Sequence, residues 1–191
     1  MKKFKNIISE EINELSNLII ENQIYINDSA IKIAKIISEA INNEKTIFIC
    51  GNGGSASQGE HFTGELIGRF EKNRPPFKAI ALTTDSSAIT CISNDFGFKE
   101  IFARQLNSLA SESDVLICLS TSGRSENIIN ALIEAEKKKM IKIGFFGNKV
   151  EIAKNLTDFN FIVNSHSTVR IQEIHLLMIH CICKIIDFEF S

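Results

Sequence analysis

Thr46-Ile47-Phe48-Ile49-Cys50-Gly51-Asn52-Gly53-Gly54-Ser55-Ala56-Ser57 decides the fold: an apolar run ends at a glycine and passes into a loop of glycine, amide and hydroxyl groups. The run Thr46 to Cys50 has the length of a buried strand, and a helix is expected to begin near Ser55. Such a turn can face an anion with its backbone N–H groups. Glycine permits close backbone approach, and the helix N-terminus adds the positive end of a dipole. Gly51-x-Gly53-x-x-Ala56 also fits the dinucleotide fingerprint. The next strand, however, ends near Leu82-Thr83-Thr84-Asp85, and its acidic residue comes later than the fingerprint's roughly 20-residue spacing. No Gly-Lys-Ser/Thr follows, which excludes a Walker loop. A strand-to-helix turn without a ligand is the plain alternative.

Downstream, short apolar runs recur at Ala79 to Leu82, Val115 to Leu119, Ile141 to Phe146 and Phe159 to Val163, with helical segments between them. This alternation predicts an α/β three-layer sandwich, a five-stranded parallel sheet covered on both faces, with chemistry at the C-terminal ends of the strands. Two helices precede the sheet. The first carries Ile7, Ile8, Ile12, Leu15, Leu18 and Ile19 at helical spacing. The second is expected to be capped by Asn27 or Asp28 and to bury Ile33, Ile36, Ile37, Ala40 and Ile41. The last helix, Thr168 to Phe188, is apolar nearly all round and requires burial on more than one side. With the N-terminal helices it predicts a homo-oligomer whose helices pack between subunits.

A chain of 191 residues with 44% hydrophobic content and two prolines reads as one domain, residues 1–191, with helices over 1–44 used in oligomer packing and an α/β core over 45–191. A net charge of −2 with interleaved signs provides no broad attraction to nucleic acid or an anionic membrane. Glu10, Glu11 and Glu14 interrupt the first apolar pattern, so neither a signal peptide nor a membrane span is expected there, and the chain reads as cytoplasmic. Five cysteines without a CxxC pair read as mostly buried thiols.

The third strand leads into a second loop, Ser120-Thr121-Ser122-Gly123-Arg124-Ser125-Glu126-Asn127, whose hydroxyls, amides and Arg124 can surround a phosphate. Capping by Ser122 or Ser125 would explain only one of those hydroxyls. On the helix after the first loop, His61 and Glu65 are four residues apart and project about 40° apart, as an acid/base pair, a metal pair or a solvated helix face. The last helix carries Gln172, Glu173, His175 and His180 in apolar surroundings, where polar groups need partners. A helical wheel sets Glu173 closer in angle to His180 than Gln172, which leaves the partner open.

Taken together, six blocks resemble the phosphoheptose isomerases of the sugar isomerase (SIS) domain family. They are Cys50-Gly51-Asn52-Gly53-Gly54-Ser55, His61-x-x-x-Glu65-Leu66-x-Gly68-Arg69, Asn73-Arg74-Pro75, Asn94-Asp95-Phe96-Gly97-Phe98, Ser120-Thr121-Ser122-Gly123 and Arg170-Ile171-Gln172-Glu173-Ile174-His175. The resemblance implies a flavodoxin-like SIS fold and an aldose-ketose isomerase acting on sedoheptulose 7-phosphate through an enediol, for the heptose of lipopolysaccharide or another surface polysaccharide. It makes Glu65 the base at carbon and His180 its partner at oxygen. It implies one zinc per subunit at His61, Glu65, Gln172 and His180. Asn52, Gly53, Gly54, Ser55, Asn94 and Asp95 would hold the sugar, with Glu65 and Gln172 also touching the substrate, Ser120, Thr121, Ser122 and Ser125 would hold the phosphate, and Arg69 would add charge. A homotetramer with sites between subunits is also implied. Some members carry an acid just before the arginine of the last block, where this chain has Val169. The competing readings are a non-catalytic adaptor on the same fold, resembling replication-initiator-binding proteins, and a phosphosugar sensor. Neither would need both Glu65 and His180.

Overall fold

The computed structural model describes residues 1–148, 150 and 152–191, and at Lys2 the backbone alone. Helices α1 (Lys2–Glu21) and α2 (Gln23–Asn42) lead into β1 (Ile47–Gly51), α3 (Gly54–Ile67), β2 (Ala79–Ala81), α4 (Ser86–Phe96) and α5 (Ala103–Leu109). Then follow β3 (Val115–Ser120), α6 (Glu126–Lys137), β4 (Ile141–Gly147), β5 (Phe159–Val163) and the long α7 (Thr168–Phe190). The five strands form one sheet in the order β2-β1-β3-β4-β5, every pair parallel. The expected three-layer α/β architecture with N-terminal helices is what the chain adopts.

Alternation along the strands builds a core on each face. Ile47 and Ile49 face one side with Phe62 and Leu66 of α3, Ile33 and Ile37 of α2, and Met178 and Ile182 of α7. Phe48 and Cys50 face the other, with Leu106 of α5 and Ile128 and Leu132 of α6. Because both faces are covered, β1 is buried along its whole length and reads as one continuous apolar run. Helix α7 meets its need for burial by packing on α2, α3 and the sheet.

The structure corrects two local expectations. Asn27 and Asp28 do not cap α2. Asn22 is the one residue between α1 and α2, and Asn27 and Asp28 lie inside the helix. The buried stripe extends back to Ile26 and Ala30, so tertiary burial overrides the capping preference. Of the cysteines, Cys50, Cys118 and Cys183 are buried, whereas Cys91 on α4 is exposed and Cys181 half-buried. The apolar residues Phe4, Ile7, Ile8 and Ile12 of α1 remain exposed in the single chain.

What the topology does for the site is simple. The sheet reverses its build direction between β1 and β3, and in open parallel sheets this switch point opens a crevice at the strands' C-terminal ends. The two loops that close β1 and β3 are the two singled out by their glycines and hydroxyls.

Candidate active site

The first loop is tight for steric reasons. A Cβ at Gly51 would stand 2.6 Å from the Ser55 carbonyl oxygen, and Gly53 has φ +55°, a left-handed conformation that side chains disfavour. Helix α3 starts at Gly54, where a Cβ would meet the Gln172 amide nitrogen at 2.7 Å. Gln58 donates from Nε2 to the Gln172 carbonyl at 2.7 Å, so the first turns of α3 and α7 are sewn together beside this loop.

In the second loop, Gly123 has φ +60° and its amide donates to Ser120 Oγ at 3.1 Å. Ser125 occupies the N-cap position of α6 without a side-chain capping bond, and Ser122 Oγ accepts from the Arg124 amide at 3.3 Å. Helix capping therefore does not account for these hydroxyls. The loops are stapled by a reciprocal amide pair: Asn52 Nδ2 donates to Asn127 Oδ1 at 2.9 Å, and Asn127 Nδ2 to Asn52 Oδ1 at 2.8 Å. Beside the staple opens a cavity of about 600 Å³ lined by Asn52, Phe98, Lys99, Ser125, Glu126 and Asn127. Asn94 and Asp95 are exposed at the end of α4, hydrogen-bonded to each other at 2.8 Å, and do not line it.

The second constellation lies along the seam of α3 and α7. His61 Nε2 is 2.9 Å from His180 Nε2 and 3.5 Å from Glu65 Oε1. At the first of these contacts one imidazole nitrogen must carry the proton and the other accept it. The side chains of His61 and Glu65 are 43% and 20% exposed, so the cluster is reachable from solvent. Phe70 packs its ring 5.7 Å from that of His180 and shares with it a groove of about 570 Å³ between α2 and α7. Two imidazoles and a carboxylate are the donor types that zinc selects. Among the described residues, however, no three His, Cys, Asp or Glu side chains stand close enough as they are to enclose an ion.

Glu65, His61 and His180 are thus brought together, and so are the two loops with Gln172. The two groups are not brought to one another within a single chain. Gly54 and His61 are seven residues apart on α3, about 10 Å of helix, and Gln172 and His180 are eight apart on α7, about 12 Å. Arg69 lies past the far end of α3 and is exposed. His175 belongs to neither group. It is fully buried against Phe145 and Phe161, with Nε2 3.3 Å from the Phe146 carbonyl oxygen, and burial lowers its pKa from 6.5 to about 4. Sequence reasoning missed the staple partner Asn127, whose only signal was its place just inside a helix after a hydroxyl loop. It also assigned no role to Arg74 or Asp187, which pair inside the protein at 2.7 Å.

A doubly wound sheet of this kind places its ligand site at the switch point, and the SIS domain family matches residues 10–147. Phosphoheptose isomerase 1 of Campylobacter jejuni is 42% identical over 185 residues, 97% of this chain and 99% of that protein. Phosphoheptose isomerase of Nitratiruptor is 48% identical over 155 residues, 81% of this chain and 83% of its own. Among solved structures, a phosphoheptose isomerase from Francisella tularensis superimposes with a TM-score of 0.92 at 36% identity, covering 98% of this chain and all (100%) of that one. The chain belongs to the phosphoheptose isomerase family of SIS-domain enzymes.

Proposed function

We propose that this isomerase interconverts sedoheptulose 7-phosphate and D-glycero-D-manno-heptose 7-phosphate through an enediol. The observation that carries this reading is the meeting of Glu65 and His180 at one His61 nitrogen, from helices far apart in sequence. Glu65 removes the proton from C1 of the ketose and returns it to C2, while His180 takes the O1 side of the exchange and moves a proton between the two oxygens, so no net proton is lost. Serine and threonine hydroxyls of the second loop hold the phosphate, and the glycine loop with Gln172 holds the sugar. Asn94 and Asp95 would join the sugar's recognition and Arg69 would add charge, each from outside the loop cavity of the same chain.

Zinc held by His61, Glu65 and His180, with Gln172 as the fourth donor, would polarise the substrate carbonyl. Gln172 lies beside the glycine loop rather than in the His–Glu cluster, so in this reading the fourth donor comes from another copy of the chain. Assembly as a homotetramer, with the cluster of one subunit facing the loops of another, would also cover the exposed apolar residues of α1. The reaction belongs in the cytoplasm and supplies heptose to lipopolysaccharide or another surface polysaccharide. No helix among the described residues is long and apolar enough to cross a membrane.

Incubation of the purified protein with sedoheptulose 7-phosphate, with and without a chelator and with metal analysis of the same sample, tests the reading. Aldose formation is expected, with turnover lost on chelation and restored by zinc. Tight binding without turnover would make the chain a sensor, and neither binding nor turnover would make it an adaptor.

A further inference from the structure

Helix α3 ends at Ile67, and the chain then doubles back through residues 68–76 to reach β2. The inside of that return holds an ion pair. Arg74 donates from Nε to Asp187 Oδ1 at 2.7 Å, and the two side chains are 0% and 2% exposed. The rest of the guanidinium is directed at the end of α3. Nη2 donates to the Glu65 carbonyl at 2.6 Å and Nη1 to the Leu66 carbonyl at 3.0 Å, with a further bond to the Pro75 carbonyl at 3.1 Å. The Glu65 and Leu66 carbonyls belong to the final turn of α3, where a cation also meets the negative end of the helix dipole. Asp187 uses its other oxygen to accept the Glu71 and Lys72 amides at 2.7 and 2.8 Å. Burial by itself would raise the Asp187 carboxyl, but those amides and Arg74 outweigh it and hold the pKa below the usual carboxylate range.

Asp187 follows His180 by seven residues on α7, which places the two within about 20° on one stripe of the helix. On α3 the guanidinium grips the backbone of Glu65 itself. We propose that Arg74 and Asp187 are a positioning pair that sets how Glu65 and His61 meet His180. This inference rests on the reading of Glu65 and His180 as the proton-transfer groups. A buried ion pair is a poor way to gain stability, because desolvation offsets the attraction and an apolar pair of similar volume would serve. What this pair supplies is direction: a planar fork that holds two carbonyls and a carboxylate at once ties the two helices at one offset. Lysine keeps the charge but cannot make that set of bonds.

The test compares Arg74→Lys and Asp187→Asn with Glu65→Gln and with Leu106→Ala, a core truncation on the opposite face of the sheet. Turnover of sedoheptulose 7-phosphate, thermal midpoints and the imidazole ¹⁵N resonances of His61 and His180 are measured for each. Expected is a fall in kcat of about 100-fold for Arg74→Lys with KM changed less than about twofold, the scale associated with a misplacement of about 1 Å in a catalytic group. The His61 and His180 resonances should shift in Arg74→Lys and Asp187→Asn, and not in Leu106→Ala, whose kcat should stay near wild type. Wild-type kcat in Arg74→Lys beside an inactive Glu65→Gln would overturn the positioning role alone. Wild-type turnover in Glu65→Gln would overturn the site reading and this inference with it. Failure of both pair variants to fold, where Leu106→Ala folds, would also overturn it, because the pair would then be a folding requirement with no separate positioning role.

Discussion

The switch-point loops and the α3–α7 seam are built in opposite ways. The loops are made mostly from neighbouring residues, glycines that admit a sharp turn and hydroxyls on the following backbone, tied across the chain by the Asn52–Asn127 amide staple and by Gln58 on the Gln172 carbonyl. The seam is made from residues far apart in the chain, His61 and Glu65 on one helix and His180 on another, held by contacts 119 residues apart or nearly so. The difference teaches that the geometry of the loops is a local property, while the geometry of the His–Glu seam depends on how two helices pack.

The sharpest break of the comparison comes from the seam. Glu65→Gln or His180→Ala should each lower kcat at least about 1,000-fold while circular dichroism and thermal midpoint stay close to wild type, because on the proposed function each removes a proton-transfer group and neither is in the apolar core. Wild-type-like turnover in either variant would remove the seam from the chemistry.

Next in size is an effect of pH on the seam's own support. His175 is on the buried face of α7 with its pKa lowered by burial to about 4, so the unfolded chain binds a proton on this side chain between about pH 4 and 6.5 that the folded chain does not. The contribution is fully present above pH 6.5 and is lost as pH falls toward 4. On that shift it amounts to about 3 kcal/mol. Denaturant titrations across this range should show the slope, and His175→Leu should flatten it.

On the loop side, Gly51→Ala forces a Cβ to within 2.6 Å of the Ser55 carbonyl, a backbone atom that cannot swing aside. It should cost about 1–3 kcal/mol in urea unfolding and weaken substrate binding as the loop shifts. The smallest effect expected is that of Asn127→Ala. Losing the staple should destabilise the chain by about 1 kcal/mol and raise KM severalfold with little change in kcat. An equal fall in kcat would show that the loops and the seam are more tightly coupled than their construction implies.

Much of this could be read in advance. Five apolar runs marked the strands to within a residue or two, since a strand covered on both faces is apolar nearly throughout, with Lys142 in β4 and Asn160 in β5 as the polar interruptions. The two loops declared themselves through glycine and clustered hydroxyls, and His61 and Glu65 through their four-residue spacing. Asn27 and Asp28 misled because good capping residues are tolerated inside a helix when burial of Ile26 and Ala30 pulls the start earlier. Arg74 and Asp187 gave no signal of partnership, for an arginine in a loop and an aspartate near a helix end are ordinary on a surface, and only the fold shows them buried against each other.

By itself, the amino-acid order determined the element types, the parallel sheet and the two glycine and hydroxyl turns at its strand ends, because periodicity, glycine freedom and helix ends act over a few residues. Only the tertiary structure decided that His180 meets His61, that Gln172 stands by the glycine loop instead, and that one buried arginine ties the end of α3 to α7. Those outcomes depend on the offset between packed helices, a quantity set by the whole core and encoded at no single stretch of the chain.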